Sequence, residues 1–329
     1  MRKMIKQCVF VTAAGLLGLN PALALDVSRY PVLVELVEIM SQEDGYPREE
    51  LEAVLSSSKI DQQIIELMDR PYESLPWHRY RDLFIKESRI VRGVQFWQEN
   101  QTILAAVEKE FGVPQAILVA LIGVETHYGT RLGNRRVLDS LVTLSADYPR
   151  RSKFFTNELR TFLNTARREN IAANSVLGSY AGAIGIPQFM PSSYEAYSVD
   201  FNGNGRRDLV NEMEDAIGSV GNYLKVHGWT RGEAIFAPVT EDLPDAARDL
   251  VSKRSKLRHR TRDLADAGVV FDTRGGSDSA ALFFLQQKSG KDHVVGYRNF
   301  YALTRYNTSI NYAMAVTELS MQIARRMGG

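Results

Sequence analysis

Apolar residues recur at helical spacing through most of this chain. Val32, Leu33, Leu36, Val37 and Met40 fall on one helix face, and Leu51, Val54 and Leu55 begin a second pattern. Pro71 and Pro76 interrupt it before another helical stretch around Tyr80–Phe96. Charged residues take the opposite faces, so residues 26 to about 108 read as a helical scaffold. Around Gly112-Val113-Pro114 the character changes. Pro114 suits the first turn of a helix, and Ile117 to Val124 is apolar at every position but Gly123. A helix apolar on all sides belongs at the centre of a domain. Further helices are predicted near 153–168 and 212–227, with a Gly-rich loop between them. Then Ala234–Phe236, Val269–Phe271, Ala281–Leu285 and His293–Tyr297 read as short strands, with one helical, basic piece, Lys253–Arg262, among them. Helical spacing returns over Ile310–Met327. The expectation is a mainly α protein, α+β overall, with a small β-containing insertion.

The first residues bear on the compartment. Arg2, Lys3 and Lys6 precede an apolar run from Cys8 to Leu19, and Ala22-Leu23-Ala24 has the small-x-small form of a signal-peptidase site. That run is too short to span a bilayer, and no comparable one follows, so no transmembrane segment is predicted. Cys8, the only cysteine, lies inside this leader, which excludes a disulfide framework and a cysteine metal site from the mature chain. Ile5-Lys6-Gln7 before it lacks the small apolar residues of a lipoprotein signal, which argues against lipidation. The reading is export to the periplasm by a cleavable signal peptide. Removing residues 1–24 moves the formal charge from +1 to −2, because three bases and no acid leave with it. A near-neutral chain gives no argument for nucleic-acid binding.

Three segments carry candidate chemistry. Glu125 closes the apolar helix in Gly123-Val124-Glu125-Thr126-His127-Tyr128-Gly129. Apolar surroundings raise a carboxyl pKa by desolvation, as a general acid for a glycosidic oxygen requires. The alternative is a carboxylate that meets water where its helix ends. Second, Gly178-Ser179-Tyr180-Ala181-Gly182-Ala183-Ile184-Gly185-Ile186-Pro187-Gln188-Phe189-Met190-Pro191 combines close-approach glycines with groups suited to sugars. Ser179, Tyr180 and Gln188 supply hydroxyl and amide groups; Phe189 and Met190 supply apolar contact. It is neither a P-loop nor a dinucleotide fingerprint, and its Ser is one place early for a nucleophile elbow. A tight structural loop is the alternative. Third, Asp200, Asn202, Asn204, Arg206 and Asp208, with Gly205 at the sixth place, match the start of an EF-hand calcium loop. Position 12 is Asn211, and Glu212, Glu214 or Asp215 could close a slightly longer loop. His78, His127, His227, His259 and His293 are dispersed, without transition-metal spacing.

At these segments the chain resembles the lytic murein transglycosylase B family, including its soluble members. The likeness runs from about Asp26 to the C-terminus. It rests on Gly123–Gly129, Ser179–Ala183, Gln188–Ser193, Asp215–Val220 and Arg305-Tyr306-Asn307 with Tyr312 downstream. The resemblance implies a lysozyme-like catalytic core, with Glu125 as catalytic acid and base. It implies Ser179, Gln188, Tyr223, Asn307 and Tyr312 around the bound sugar and Phe189 and Met190 as cleft walls. It further implies a calcium loop closed by Asp215, although the spacing to Asp215 here is about one residue longer. The expected divisions are a signal peptide over 1–24, a helical domain over 25–108, and the core with its EF-hand-like loop over 109–232. An α+β insertion over 233–298 and a return to the core over 299–329 complete them.

Ordinary glycosidases use two carboxylates. A lytic transglycosylase, as the resemblance implies, needs one. Glu125 would protonate the oxygen leaving between N-acetylmuramic acid and N-acetylglucosamine, and then take the proton of the sugar's 6-hydroxyl as a 1,6-anhydro ring closes. No catalytic cofactor is needed, and structural Ca²⁺ is the candidate ion. The expected partners are peptidoglycan glycan strands and proteins of cell-wall synthesis or the divisome. The rivals are a hydrolytic muramidase, which would use a second carboxylate such as Asp147 or Glu195, and a non-catalytic peptidoglycan-binding scaffold.

Overall fold

The computed structural model describes residues 24–70 and 74–328. The leader expected over 1–24, with Cys8, falls outside them except for Ala24. The protein is mainly helical, as expected. Its first third holds α1 (Pro31–Glu43), α2 (Arg48–Ser56), α3 (Gln62–Met68), α4 (Trp77–Phe84), α5 (Glu87–Glu99) and α6 (Gln101–Phe111). The apolar face read from α1 is the one that it buries: Leu33, Leu36, Val37 and Met40. The helical stretch expected over Tyr80–Phe96 is two helices. The Ile85 N–H closes α4 on Arg81, and extended Lys86 starts α5.

α7 (Gln115–Thr126) follows Pro114 and is buried from Ile117 to Gly123. It packs against α5, α6, α11 (Met213–Val226) and α14 (Ile310–Met327), so its end is held from several sides. Between α7 and α11 lie α8 (Val137–Asp147), α9 (Ser152–Arg168) and α10 (Pro191–Tyr197), with β1 (Arg135–Arg136) antiparallel to β2 (Leu177–Gly178).

The strand-rich stretch contains β3 (Phe236–Pro238), β4 (His259–Arg260), α12 (Thr261–Asp266), β5 (Ser279–Gln286) and β6 (Lys291–Gly296), in the sheet order β3-β6-β5-β4. Alternation explains why the central strand is apolar on both faces. Ala280 and Leu282 of β5 face a small core with Leu264, Val295 and Tyr297, while Ala281, Phe283 and Leu285 pack onto the helical body. Pro238 sits in an edge strand, where its missing N–H does no harm. Two expectations are corrected here. Val269–Phe271 is no strand: Phe271 forms a single bridge to Val239, and Val269 N–H closes onto Leu264 after α12. Lys253–Arg262 is no single helix, since Ser252 N–H and Arg258 N–H bond to Leu282 and Ala280 and draw the segment along β5. α13 (Arg298–Tyr306) and α14 then rejoin the helical body. Among the described residues no helix is long and apolar enough to cross a membrane.

Candidate active site

The end of α7 is shaped by three successive left-handed residues: His127 at φ 51°, Tyr128 at φ 62° and Gly129 at φ 78°. Bulky residues rarely adopt this conformation, so packing must enforce it. Tyr128 supplies that packing. Its buried ring lies so close to Gly123 that a Cβ there would stand 2.6 Å from ring carbons, and its hydroxyl donates to Arg89 O at 2.8 Å. Thr126 Oγ1 donates to Ile186 O at 3.0 Å and accepts from Gly129 N at 3.0 Å, which ties the helix end to the Gly-rich segment. Glu125 is thus presented, half-buried, on a helix end that has little freedom to move.

Its carboxylate meets α14. The Tyr312 hydroxyl, with only 3% of the residue exposed, donates to Glu125 Oε1. Tyr306 stacks on Tyr312 with ring planes 11° apart and centroids at 6.4 Å, and its own hydroxyl donates to Pro187 O at 2.6 Å. Burial, and then the negative charge of Glu125, push both tyrosine hydroxyls well above their ordinary pKa. They therefore stay protonated and act as donors.

The sequence-predicted residues divide into two groups. Tyr312 touches Glu125 directly, and Asn307 lies on the turn before it, with Oδ1 accepting from Ser309 N at 3.1 Å. Phe189 and Tyr223 are inner members of the ring cluster: Phe189 is 5.7 Å and Tyr223 4.8 Å from Tyr306, centroid to centroid. The Tyr223 hydroxyl donates to Arg305 O at 2.6 Å, so it serves the fold. Gln188, left-handed at φ 51°, donates its amide to Leu132 O and Gly185 O at 3.1 and 2.9 Å. Ser179 Oγ accepts from Ala181 N and Ala183 N and closes its own turn. Tyr180 and Met190 are half-buried beside the core. Much of the Gly-rich segment is accordingly a tight loop that supports the site. Two contributors lay unassigned within the matching motifs, Thr126 beside Glu125 and Tyr306 beside Asn307.

The carboxylates that a hydrolytic route would call upon are engaged elsewhere. Asp147 accepts from Gln62 at 3.0 Å. Glu195 pairs with Arg168 at 2.5 Å; burial would raise its pKa, but the Arg168 hydrogen bond and charge hold it low.

In the candidate calcium loop, Asp200 accepts from Gly203 N, Asn204 N and Gly205 N at 2.7, 3.0 and 2.7 Å. Asp208 accepts from Val210 N and Asn211 N, both at 2.9 Å. Asp215 is fully buried, with its oxygens accepting from Phe201, Asn202 and Asp208 N–H at 2.8, 3.4 and 2.9 Å. It braces the loop from inside. Glu212 instead reaches the amides of Asn202 and Asn204 at 2.6 and 2.8 Å. Among the described residues no three His, Cys, Asp or Glu stand together as a ready metal cage. The donor chemistry, oxygens with a net negative charge, fits Ca²⁺ in kind.

Residues 30–321 match the transglycosylase SLT domain. The chain is 38% identical to the membrane-bound lytic murein transglycosylase B of Escherichia coli over 310 residues, 91% of this chain and 84% of that protein. Its fold is similar to that of the soluble lytic transglycosylase SltB1 from Pseudomonas aeruginosa, with a TM-score of 0.84 and 40% identity over 90% of this chain and 99% of that one. It is likewise similar to the Escherichia coli lytic transglycosylase Slt35 in complex with calcium, with a TM-score of 0.84 and 37% identity over 94% and 99% of the two chains.

Proposed function

The chain belongs to the transglycosylase SLT domain family and is a lytic transglycosylase with a lysozyme-like fold, and from that premise we propose that Glu125 is its acid and base. The bond cut is the β-1,4 linkage between N-acetylmuramic acid and N-acetylglucosamine in peptidoglycan. The observation that carries the assignment is the Tyr312 hydroxyl on Glu125 Oε1. With Oε1 accepting from Tyr312, the proton that the neutral acid gives to the leaving glycosidic oxygen is assigned to Oε2. The C1–O bond breaks as that oxygen takes the proton, and the substrate's own 2-acetamido group stabilises the positive sugar centre. Glu125, now ionised, receives the 6-hydroxyl proton as O6 bonds to C1. One proton leaves Glu125 and one returns, and no water enters the product. The engagement of Asp147 and Glu195 elsewhere favours this route over hydrolysis.

Around the sugar, Asn307 and Tyr312 orient the acetamido group, Ser179 and Tyr180 border it, and Met190 lines the wall. Gln188, Phe189 and Tyr223 act from behind by holding that surface in shape. Residues 25–108 and 109–232, rejoined by 299–329, form the catalytic body, and the separate small core supports reading 233–298 as an insertion. A structural Ca²⁺ would be held by Asp200, Asn202, Asn204, Asp208 and the Arg206 carbonyl, with Glu212 rather than Asp215 closing the loop. The charged and apolar pattern of residues 1–24 supports export to the periplasm. Opening strands in a load-bearing polymer must be matched to extending them, so proteins of cell-wall synthesis or the divisome are the implied partner class. Mass spectrometry of products from purified peptidoglycan tests the reading. Ends lighter by one water are expected; ordinary reducing ends would make the enzyme a muramidase, and no cleavage a binder.

A further inference from the structure

The loop at 200–215 and the Gly-rich segment meet backbone to backbone. The Asp208 N–H donates to buried Asp215 at 2.9 Å, and its neighbour Leu209, itself fully buried, accepts from the Ile186 N–H at 2.8 Å. Gly185 is left-handed at φ 75°, and a Cβ on it would stand 2.5 Å from Leu209 O. Only glycine fits there, so a shift of either stretch presses on the other.

Ile186 passes this contact on. Its carbonyl accepts from Thr126 Oγ1 at 3.0 Å, across 60 positions of sequence. Thr126 is fully buried and uses its hydroxyl both ways, donating to Ile186 O and accepting from Gly129 N at 3.0 Å. Hydrogen bonds therefore run from Asp215 through Asp208–Leu209 and Ile186 to the residue beside Glu125. A hydroxyl that only finished its own helix would need the Gly129 N–H alone. The bond to Ile186 O ties the end of α7 to a residue whose own N–H is committed to the loop. Proton transfer demands hydrogen-bond reach between the acid and the glycosidic oxygen, so small displacements of Glu125 are costly in rate.

We propose that Thr126 is a positioning residue through which the loop at 200–215 sets the catalytic geometry of Glu125. A loosened loop releases Leu209 and Ile186, and the end of α7 follows them. Glu125 then loses rate while the sugar site keeps its affinity. The coupling belongs to the hydrogen bonds of the chain itself and holds whether or not an ion joins them. It rests on the glycan-cutting reading above.

The test is a double-substitution cycle on kcat and KM for release of anhydro ends, at one fixed Ca²⁺ concentration and below the melting temperature of every variant. An amide accepts at one oxygen, so Asp215→Asn leaves the N–H of Asp208 or of Phe201 unpaired and loosens the loop. It should lower kcat by roughly three- to tenfold with KM unchanged. Thr126→Val keeps the shape, removes the hydroxyl and should lower kcat by roughly tenfold. Added to Thr126→Val, Asp215→Asn should cost little further, because the link is already cut. Thr126→Ser, which keeps the hydroxyl, should recover most of the rate. Asp200→Ala, which frees the Gly203, Asn204 and Gly205 N–H groups, loosens the same loop and repeats the cycle if Asp215→Asn does not fold. An unchanged kcat for the loop variant, a loss carried by KM, or fold losses that simply multiply overturns the proposal. Amide hydrogen exchange needs no change at Thr126: the loop variant should speed exchange at Ile186 and Gly129, and unchanged exchange at Gly129 overturns it as well. Each of these failures leaves glycan cutting intact. No anhydro product from wild type overturns the glycan-cutting reading and this one with it.

Discussion

Tyr312, in the first turn of α14, donates its hydroxyl to the carboxylate of Glu125 at the end of α7, although 187 positions separate the two in the chain. The contact engages Oε1, and the proposed mechanism assigns proton transfer to Oε2. Tyr312→Phe keeps the ring and removes only the donor. A hydrogen bond to a charged group contributes about 1.5–3 kcal/mol, so kcat should fall by roughly ten- to a hundredfold. KM should change little. Steady-state kinetics on purified peptidoglycan checks this, and an unchanged kcat would remove Tyr312 from the mechanism.

Gly123→Ala tests how the end of α7 is held. Its Cβ would stand 2.6 Å from the Tyr128 ring, which has no room to yield beneath α5. Overpacking costs about 1–3 kcal/mol, against a gain of up to about 1 kcal/mol in helix propensity. The net loss should lower the melting temperature by a few degrees, about 2–4 °C per kcal/mol. Activity should fall further than stability, because the disturbed turn carries Glu125. A variant as stable and active as wild type would contradict this packing account.

Much of this architecture is legible in the pattern of residues, and the exceptions have physical causes. α7 announces itself because it is apolar on every side, and α14 because its spacing is regular over Ile310–Met327. α8 hides because Asp139, Ser140 and Thr143 on it are polar yet buried. Their partners, Lys59 N, Ser179 O and Asp61 N, come from elsewhere in the fold. α13 hides for the same reason. Its buried Asn299 bonds to the backbone of Thr230 and Glu233. At the site, Glu125 is readable from its segment, but the direction of each surrounding side chain is not. Gln188 and Tyr223 have the chemistry of sugar ligands and spend it on backbone carbonyls. Only tertiary contact decides between those uses.

His127 gives a pH dependence. Burial, and then the charges of Arg89, Arg131 and Arg92, depress its pKa below 6.5, and its Nδ1 is buried without a partner among the described residues. His293 is depressed as well, by burial and then Lys291. The unfolded chain therefore takes up these protons first as pH falls through 6.5, and stability declines from there until the folded protein binds them too. The melting temperature should drop between about pH 7.5 and about pH 5.5. His127→Asn, which suits the left-handed backbone, should flatten that slope. A slope unchanged by the substitution would show that His127 has no part in it.

Calcium should act on stability through the loop at 200–215. Added Ca²⁺ is expected to raise the melting temperature in a concentration-dependent way, and a chelator to reverse the rise. Asp200→Ala and Glu212→Gln should each abolish the shift. A shift that survives Glu212→Gln would return the closing role to another carboxylate, and no shift in wild type would mean that the loop is held by its own hydrogen bonds.

The most direct test of the account is the rate at which 1,6-anhydromuramic ends form, counted by mass spectrometry for wild type and for Glu125→Gln. The amide keeps the size of the side chain but can neither give up nor recover the proton. With unchanged melting, its rate should fall by at least about a thousandfold, as expected when one group supplies both acid and base. Full activity in the Gln variant would contradict the assignment of Glu125.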